Sequence, residues 1–233
     1  MKSFRVTPVH GRVAVLASGG LDSSVLLAQF AASGRQVFPV YVRAGLRWER
    51  AELTVLRRFI AALRARNHVR IEPIAISVLP PDAALRRHWT VTGRGVPGLR
   101  ARVESNYIVG RNLTLLARAA IFCANNRIGE VAMAPLESNP FPDARPEFFR
   151  AMERAIALGV GLRLRVITPF VGLTKAQVVK RGRALPLRLT LSCANPRGTL
   201  HCGSCTKCAE RMAGFADAGI EDPTRYARKP AGH

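Results

Sequence analysis

The sequence predicts an α/β domain, a Rossmann-like wound parallel sheet, followed by a small C-terminal metal-binding helical lobe. Three observations predict it. Short apolar runs alternate with helix-length stretches, a turn of hydroxyl residues and glycines separates the first run from the first helix, and after Pro186 the alternation stops where four of the five cysteines begin. The boundary is therefore set between residues 1–186 and 187–233.

The strands are expected at residues 13–17, 36–42, 70–76, 130–134 and 163–167. Several are continuous apolar runs, as needed when helices cover both faces of a sheet. The helices between them are expected at 23–32, 49–64, 113–125, 147–158 and 175–183. Gly34 supplies a C-terminal stop for the first helix. Thr174-Lys175-Ala176-Gln177 has the hydroxyl-x-x-Gln form of a capping box for the last. Residues 80–105, rich in Pro, Gly and Arg, form a connection too long to be an ordinary loop and are read as a cover for an active site, with a short helix near 83–88.

A chain of 233 residues with 48% hydrophobic content is long enough for a real core. No apolar run approaches the roughly 18 residues of a membrane span, and the start from Met1 to Arg5 lacks the apolar stretch of a secretory signal. A soluble, cytoplasmic protein with no membrane partner is expected. The formal charge of +21 comes mainly from scattered arginines. It would attract ATP and other anions and is compatible with nucleic acid. No block of like charge or basic-aromatic repeat marks a nucleic-acid surface, so that partner is not favoured. A homodimer is compatible with the sequence.

Ser18, Gly19, Gly20, Leu21, Asp22 and Ser23 lie between the first strand and the first helix, and they read as a turn for the pyrophosphate of ATP. Glycines let the backbone approach an anion, small hydroxyls donate, and the helix directs its unpaired N–H groups and positive dipole end at the same spot. The turn alone licenses only phosphate binding; a capped strand-to-helix turn would use the same residues. Cys202, Cys205 and Cys208 have C-x₂-C-x₂-C spacing, with Cys193 upstream across a Pro- and Gly-containing loop, which is the arithmetic of a tetrahedral Zn²⁺ site. Disulfides and an iron–sulfur cluster are the competing accounts. Four protein ligands leave no open position, so such a metal is structural. His201 is read as a solvated neighbour of the cluster, and Cys123 as an inert small hydrophobe in a helix.

The chain resembles the 7-cyano-7-deazaguanine synthase family, QueC, within the N-type ATP pyrophosphatases (PP-loop proteins). The resemblance runs from the Ser18-to-Ser23 turn through Tyr107-Ile108-Val109-Gly110-Arg111-Asn112, the 141–148 stretch Phe-Pro-Asp-Ala-Arg-Pro-Glu-Phe, Thr168-Pro169, Leu173-Thr174-Lys175 and the four cysteines to Asp222-Pro223-Thr224-Arg225-Tyr226. It implies an ATP-dependent carbon–nitrogen ligase acting on a deazapurine carboxylate, 7-carboxy-7-deazaguanine, and ammonia. The acid is adenylated, ammonia displaces AMP, and a second activation of the amide leaves the nitrile. On the same basis Asp22, Arg111 and Lys175 are the catalytic candidates, with Asp22 capping the helix or positioning Mg²⁺, while Glu137, Phe141 and Asp143 face the substrate. Asp143 as a helix cap is the competing account.

The chain departs from the family pattern at Leu46-Arg47-Trp48-Glu49, where a Gln-Arg-His arrangement is usual, and at Pro140, where glycine is usual. Two other readings follow: a related enzyme that adenylates another carboxylate and stops at an amide or uses another amine, and an RNA-modifying PP-loop enzyme.

Overall fold

The computed structural model describes residues 5–66, 69–80 and 83–228, so Met1 to Phe4 of the expected N-terminal start lie outside it. The elements run β1 (Arg12–Leu16), α1 (Leu21–Ala32), β2 (Gln36–Arg43), α2 (Glu49–Arg66), β3 (Ala75–Val78), α3 (Trp89–Thr92), α4 (Arg111–Asn125), β4 (Glu130–Ala132), α5 (Pro146–Val160), β5 (Arg165–Ile167), α6 (Lys175–Arg181) and α7 (Thr206–Ala218). All five strands are parallel, in the order β3-β2-β1-β4-β5. The chain winds outward from β1 in one direction and then, from β4, in the other. That reversal opens a crevice at the carboxyl ends of β1 and β4, where ligands bind in folds of this kind.

Successive residues of β1 face opposite sides of the sheet, so each side builds its own core. Val13 and Val15 pack under α1, α2, α6 and α7. Ala14 packs with Leu116, Val131 and Phe149 under α4 and α5. Phe215 and Ala218 of α7 belong to the first of these cores, so the cysteine-bearing segment is anchored in the body of the sheet.

Local signals place the helix ends as expected. Ser33 and Gly34 close α1, Gly34 at φ +76°. The capping box of α6 is formed from both sides: the Gln177 amide N–H donates to Thr174 Oγ1 at 3.3 Å and the Thr174 N–H to Gln177 Oε1 at 2.9 Å. β3 is displaced from the expected 70–76. Ile71 makes only an isolated bridge to Val37, because the next residue of β2 that faces this edge, Pro39, lacks the N–H that would continue the ladder, and regular pairing resumes at Ala75 with the register shifted by one residue. The helix expected at 83–88 is reduced to a 3₁₀ turn, Ala83–Leu85, and a four-residue helix follows at Trp89.

One segment, Val103–Asn125, is long and apolar enough by length and composition to cross a membrane, contrary to the expectation from the sequence. It is not one helix. A 3₁₀ turn at Val103–Asn106 is separated from α4 by Gly110 at φ +67°, and α4 buries Leu116, Ala119, Ala120 and Cys123 against the sheet. Its 15 residues span about 22 Å, short of a bilayer core.

Candidate active site

The turn after β1 is held open by weak internal bonds. Gly20 N–H donates to Ser18 Oγ at 3.2 Å, Ser18 N–H to Ser23 Oγ at 3.2 Å, and Leu21 N–H to Ser192 Oγ at 3.3 Å. Gly20 begins α1 without a side-chain cap, which leaves the positive helix end to an outside anion. Gly19 sits at φ +78°, and a Cβ there would lie 2.7 Å from the Glu52 carbonyl oxygen. Both the backbone angle and the close approach require glycine.

Lys175, the first residue of α6, reaches back to this turn. Its Nζ lies 2.6 Å from Asp22 Oδ2 and 2.9 Å from Glu210 Oε1, and Lys207 Nζ contacts the other Glu210 oxygen at 3.0 Å. Burial pulls the Lys175 pKa down, but the two carboxylates outweigh it and hold the ammonium above its ordinary value. Burial likewise raises Glu210, and Lys175 and Lys207 reverse that to about 2. Asp22 Oδ1 is buried and has no hydrogen-bond partner among the described residues. An unsatisfied carboxylate oxygen beside a phosphate turn suits a divalent cation.

Three cavities adjoin along the carboxyl edge of the sheet. The first, about 380 Å³, lies over the ends of β1 and β2 and is walled by Leu16, Val40, Val42, Leu79 and Leu115. The second, about 200 Å³, contains Ser18, Asp22, Lys175, Ser192, Trp48 and Trp89. Ser18, Glu52, Ile108 and Arg111 wall both. The third, about 490 Å³, opens beyond Asp22 and Glu210 between Leu136, Asn139, Phe141 and Leu99. Residues of the long 80–105 connection line all three: Leu85 the first, Trp89 the second, Leu99 and Ala101 the third. Trp89 packs on Trp48 with ring centroids 5.7 Å apart, so this side of the second cavity is an apolar wall.

The candidate substrate residues divide. Phe141 lines the third cavity and stacks on Tyr107 at 4.7 Å. Asp143 is buried, its Oδ2 accepting the Asn112 N–H at 2.9 Å and its carbonyl accepting Asn112 Nδ2 at 2.9 Å, so it caps the start of α4 beside Arg111. Glu137 is exposed next to the third cavity, its backbone N–H bonded to Leu173 O.

Cys193, Cys202, Cys205 and Cys208 are all buried and their sulfurs lie within 4.8 Å of one another. Separations of 4.0 Å for Cys193–Cys205, 3.8 Å for Cys202–Cys208 and 3.5 Å for Cys205–Cys208 are close to the roughly 3.8 Å edge of a tetrahedron with 2.3 Å metal–sulfur bonds. Backbone N–H groups of Ala194, Asn195, Cys202 and Ser204 point at the sulfurs. Hydrogen bonds shared among the four thiols lower Cys202 and Cys205 below the ordinary thiol range and raise Cys193 and Cys208 above it. The cluster can hold a metal ion. Burial pushes the Cys123 thiol, outside the cluster, up to about 12, which keeps it unreactive.

His201 is not the solvated neighbour expected. It is 3% exposed, its Nε2 accepts the Ser192 N–H at 3.0 Å, and burial followed by the nearby Arg211 charge lowers its pKa to about 3. It holds Ser192 against the phosphate turn as a neutral ring. The sequence reading also missed Glu52, Ser192, Lys207, Glu210 and Arg211. Arg211 is buried and ties the segment shut, donating to Thr190 Oγ1, Leu187 O and Thr224 Oγ1. The 3-4-3 spacing of Cys208, Arg211, Phe215 and Ala218, all buried on α7, is the signal that could have revealed this helix.

A family model described as queuosine biosynthesis protein QueC matches residues 12–219. A 7-cyano-7-deazaguanine synthase from Anaeromyxobacter sp. (strain Fw109-5) is 37% identical over 228 residues, spanning 94% of this chain and 97% of that protein. One from Anaeromyxobacter dehalogenans (strain 2CP-C) is 36% identical over 236 residues, with 96% and 99% covered. One from Thermoplasma acidophilum is 32% identical over 229 residues, with 94% and 93% covered.

Proposed function

We propose, from the premise that this chain belongs to the QueC family, that it is a cytoplasmic, ATP-dependent synthase converting 7-carboxy-7-deazaguanine and ammonia to the 7-cyano compound through an adenylated acid and an amide. The observation that carries this reading is the meeting, at the β1/β4 crevice, of the phosphate turn, Lys175 from α6 and two flanking cavities of different character.

The first cavity, largely apolar, takes the adenosine. Ser18, Gly19, Gly20, Leu21 and Ser23 hold the pyrophosphate with backbone N–H and hydroxyl donors. Asp22, through the Oδ1 that has no partner among the described residues, would hold Mg²⁺, which would supply positive charge against the phosphates. Lys175 and Arg111 draw charge onto the departing pyrophosphate and the crowded α-phosphorus, Lys175 as a point charge and Arg111 as a planar fork. A carboxylate is a poor electrophile because oxide is a poor leaving group; forming the mixed anhydride makes AMP the leaving group instead. The third cavity takes the deazapurine, with the Tyr107–Phe141 stack as its aromatic platform. Asp143 acts from behind by fixing the start of α4 and with it Arg111, and Glu137 closes the rim. The four cysteines hold Zn²⁺ as a structural centre.

Mass spectrometry of the products from ATP, ammonium and 7-carboxy-7-deazaguanine tests the reading. The nitrile with AMP and pyrophosphate is expected. Accumulation of the amide alone would assign the chain to a variant that stops after the first activation, and no acid-dependent AMP would overturn the assignment.

A further inference from the structure

We propose that Glu52 is the catalytic base of this enzyme, taking the proton that the nitrogen nucleophile sheds as it displaces AMP. The inference rests on the carboxylate-activating reading above and assigns a step of it to a residue outside the turn, the lysine and the arginine.

The place of Glu52 comes first. If adenosine fills the apolar cavity and pyrophosphate the turn, the α-phosphorus lies where those two cavities meet. The residues shared by both walls are Ser18, Glu52, Ile108 and Arg111. Of these only Glu52 can accept a proton as an ordinary acid–base group, since Arg111 stays protonated and Ser18 is a hydroxyl engaged with Ser23 at 3.1 Å. The acyl carbon of an adenylate is bonded through one oxygen to that phosphorus. A side chain on this wall therefore faces the region between the α-phosphorus and the third cavity, which meets the second along Asp22, Asn106, Lys207 and Glu210.

The surroundings suit the task. Tyr41 from β2 donates its hydroxyl to Glu52 Oε2 at 2.6 Å, which fixes one oxygen and leaves the other for the cavity. Burial and Glu52 raise the Tyr41 pKa well above its ordinary value, so Tyr41 remains a donor and does not compete for the proton. The charged groups facing Glu52 are Glu49 on its own helix, Arg111 at the start of α4 and, across the second cavity, Asp22, Lys175, Lys207, Glu210 and Arg211. Burial is the largest influence and raises the carboxyl to about 7, against the Tyr41 bond and the Arg111 charge, which lower it. A group poised there is ionised often enough to accept a proton and basic enough to keep it. Glu49, by contrast, has its Oε1 engaged by the Ala44 and Leu46 N–H groups at 2.6 and 3.0 Å and serves the β2–α2 loop.

The step balances. The ammonia lone pair forms the C–N bond, the bond from the acyl carbon to the phosphate oxygen breaks with its electrons leaving on AMP, and one N–H proton passes to the Glu52 carboxylate. Release of that proton to solvent after AMP departs resets the site.

Two measurements on the full-length protein test this: pyrophosphate exchange into ATP driven by 7-carboxy-7-deazaguanine, which needs no nitrogen nucleophile, and amide formation across pH 5.5–9 with total ammonium adjusted at each pH to keep the free ammonia concentration constant. For Glu52→Gln, amide formation is expected to fall on the order of 10²-fold and to lose its rise with pH, while exchange falls by far less. Tyr41→Phe removes a bond that stabilises the carboxylate, so the rising limb of amide formation should move to higher pH. Equal loss of exchange and amide formation in Glu52→Gln would overturn the assignment and make Glu52 a nucleotide-holding residue, and an unmoved limb in Tyr41→Phe would overturn it independently. No acid-dependent exchange in the unmodified enzyme would instead remove the carboxylate-activating reading, and this inference with it.

Discussion

The phosphate turn and the cysteine loop use the same local device to opposite ends. Each is a short loop with a left-handed glycine, Gly19 at φ +78° and Gly203 at +77°, that feeds backbone N–H groups toward the uncapped start of a helix, α1 or α7. In the cysteine loop four of those N–H groups end on buried sulfurs, and a metal would complete the remaining valence. In the turn they end on neutral serine hydroxyls at 3.2–3.3 Å along a cavity wall. Charged phosphate oxygens are stronger acceptors than hydroxyls, so under the proposed function the turn would exchange its internal partners for a ligand while the cysteine loop would keep its own. Identity of the acceptor, not backbone shape, separates a structural knot from a binding site.

The largest effect should come from breaking the closed member. Cys205→Ser removes a ligand at the N-cap of α7, the helix that carries Glu210 to Lys175 and Phe215 to the main core. About one equivalent of zinc is expected to copurify with the unmodified protein and to be lost in the variant, with the melting temperature lowered on the order of 10 °C or more. A metal-free protein that melts like the zinc-bound one would show that the N–H···S bonds alone hold the loop.

Next comes the charge that the open member recruits. Lys175→Ala deletes the cation between Asp22 and Glu210 and should reduce adenylation on the order of 10²–10³-fold, measured as acid-dependent pyrophosphate exchange. It also leaves Asp22 without its cation and Glu210 with Lys207 alone, so a lower melting temperature is expected alongside. Asp22→Ala should slow exchange without that second effect, because Lys175 keeps Glu210. Normal exchange in both variants would disprove a role for this pair in activation.

How much of this was legible in the sequence depends on the distance between partners. The turn, the α6 capping box and the cysteine spacing are each contiguous or nearly so, and each forms as its residues indicate. The fold class followed from apolar alternation, and the β3 shift traces to Pro39 in the neighbouring strand, a single residue that periodicity overlooks. Invisible were contacts between remote residues: Leu21 with Ser192 across 171 positions, and Asp22 with Lys175 across 153. Lys175 entered through family resemblance alone. Asp143, assigned to the substrate on the same basis, directs its carboxylate to the start of α4, because a carboxylate 31 residues away from an uncapped helix is indistinguishable in sequence from one facing a ligand.

Gly19→Ala sharpens the comparison at the level of backbone. The substitution places a Cβ 2.7 Å from the Glu52 carbonyl and forces a left-handed angle on alanine, at a cost of about 1–3 kcal/mol. Because α1 abuts the sheet, the turn should yield before the core does. A roughly tenfold loss in ATP affinity by titration calorimetry is expected, with a melting temperature only a few degrees lower. A variant that binds ATP normally would mean that the phosphates do not use the N–H groups Gly19 positions.

The smallest effect tests whether the turn's internal bonds are indeed exchanged. Ser192→Ala removes the hydroxyl that accepts the Leu21 N–H in the free protein, leaving that donor unsatisfied at a cost of about 1 kcal/mol. For a chain of this size that lowers the melting temperature by about 2–4 °C. If ATP binds as proposed, a phosphate oxygen would take the same N–H and the serine would no longer be needed. The difference between variant and unmodified protein should therefore shrink at saturating ATP, so the variant shows the larger ligand-induced thermal shift. If the gap instead widens with ATP, Ser192 touches the phosphates directly, and the cysteine-bearing segment contributes a ligand-binding group and not merely a placeholder.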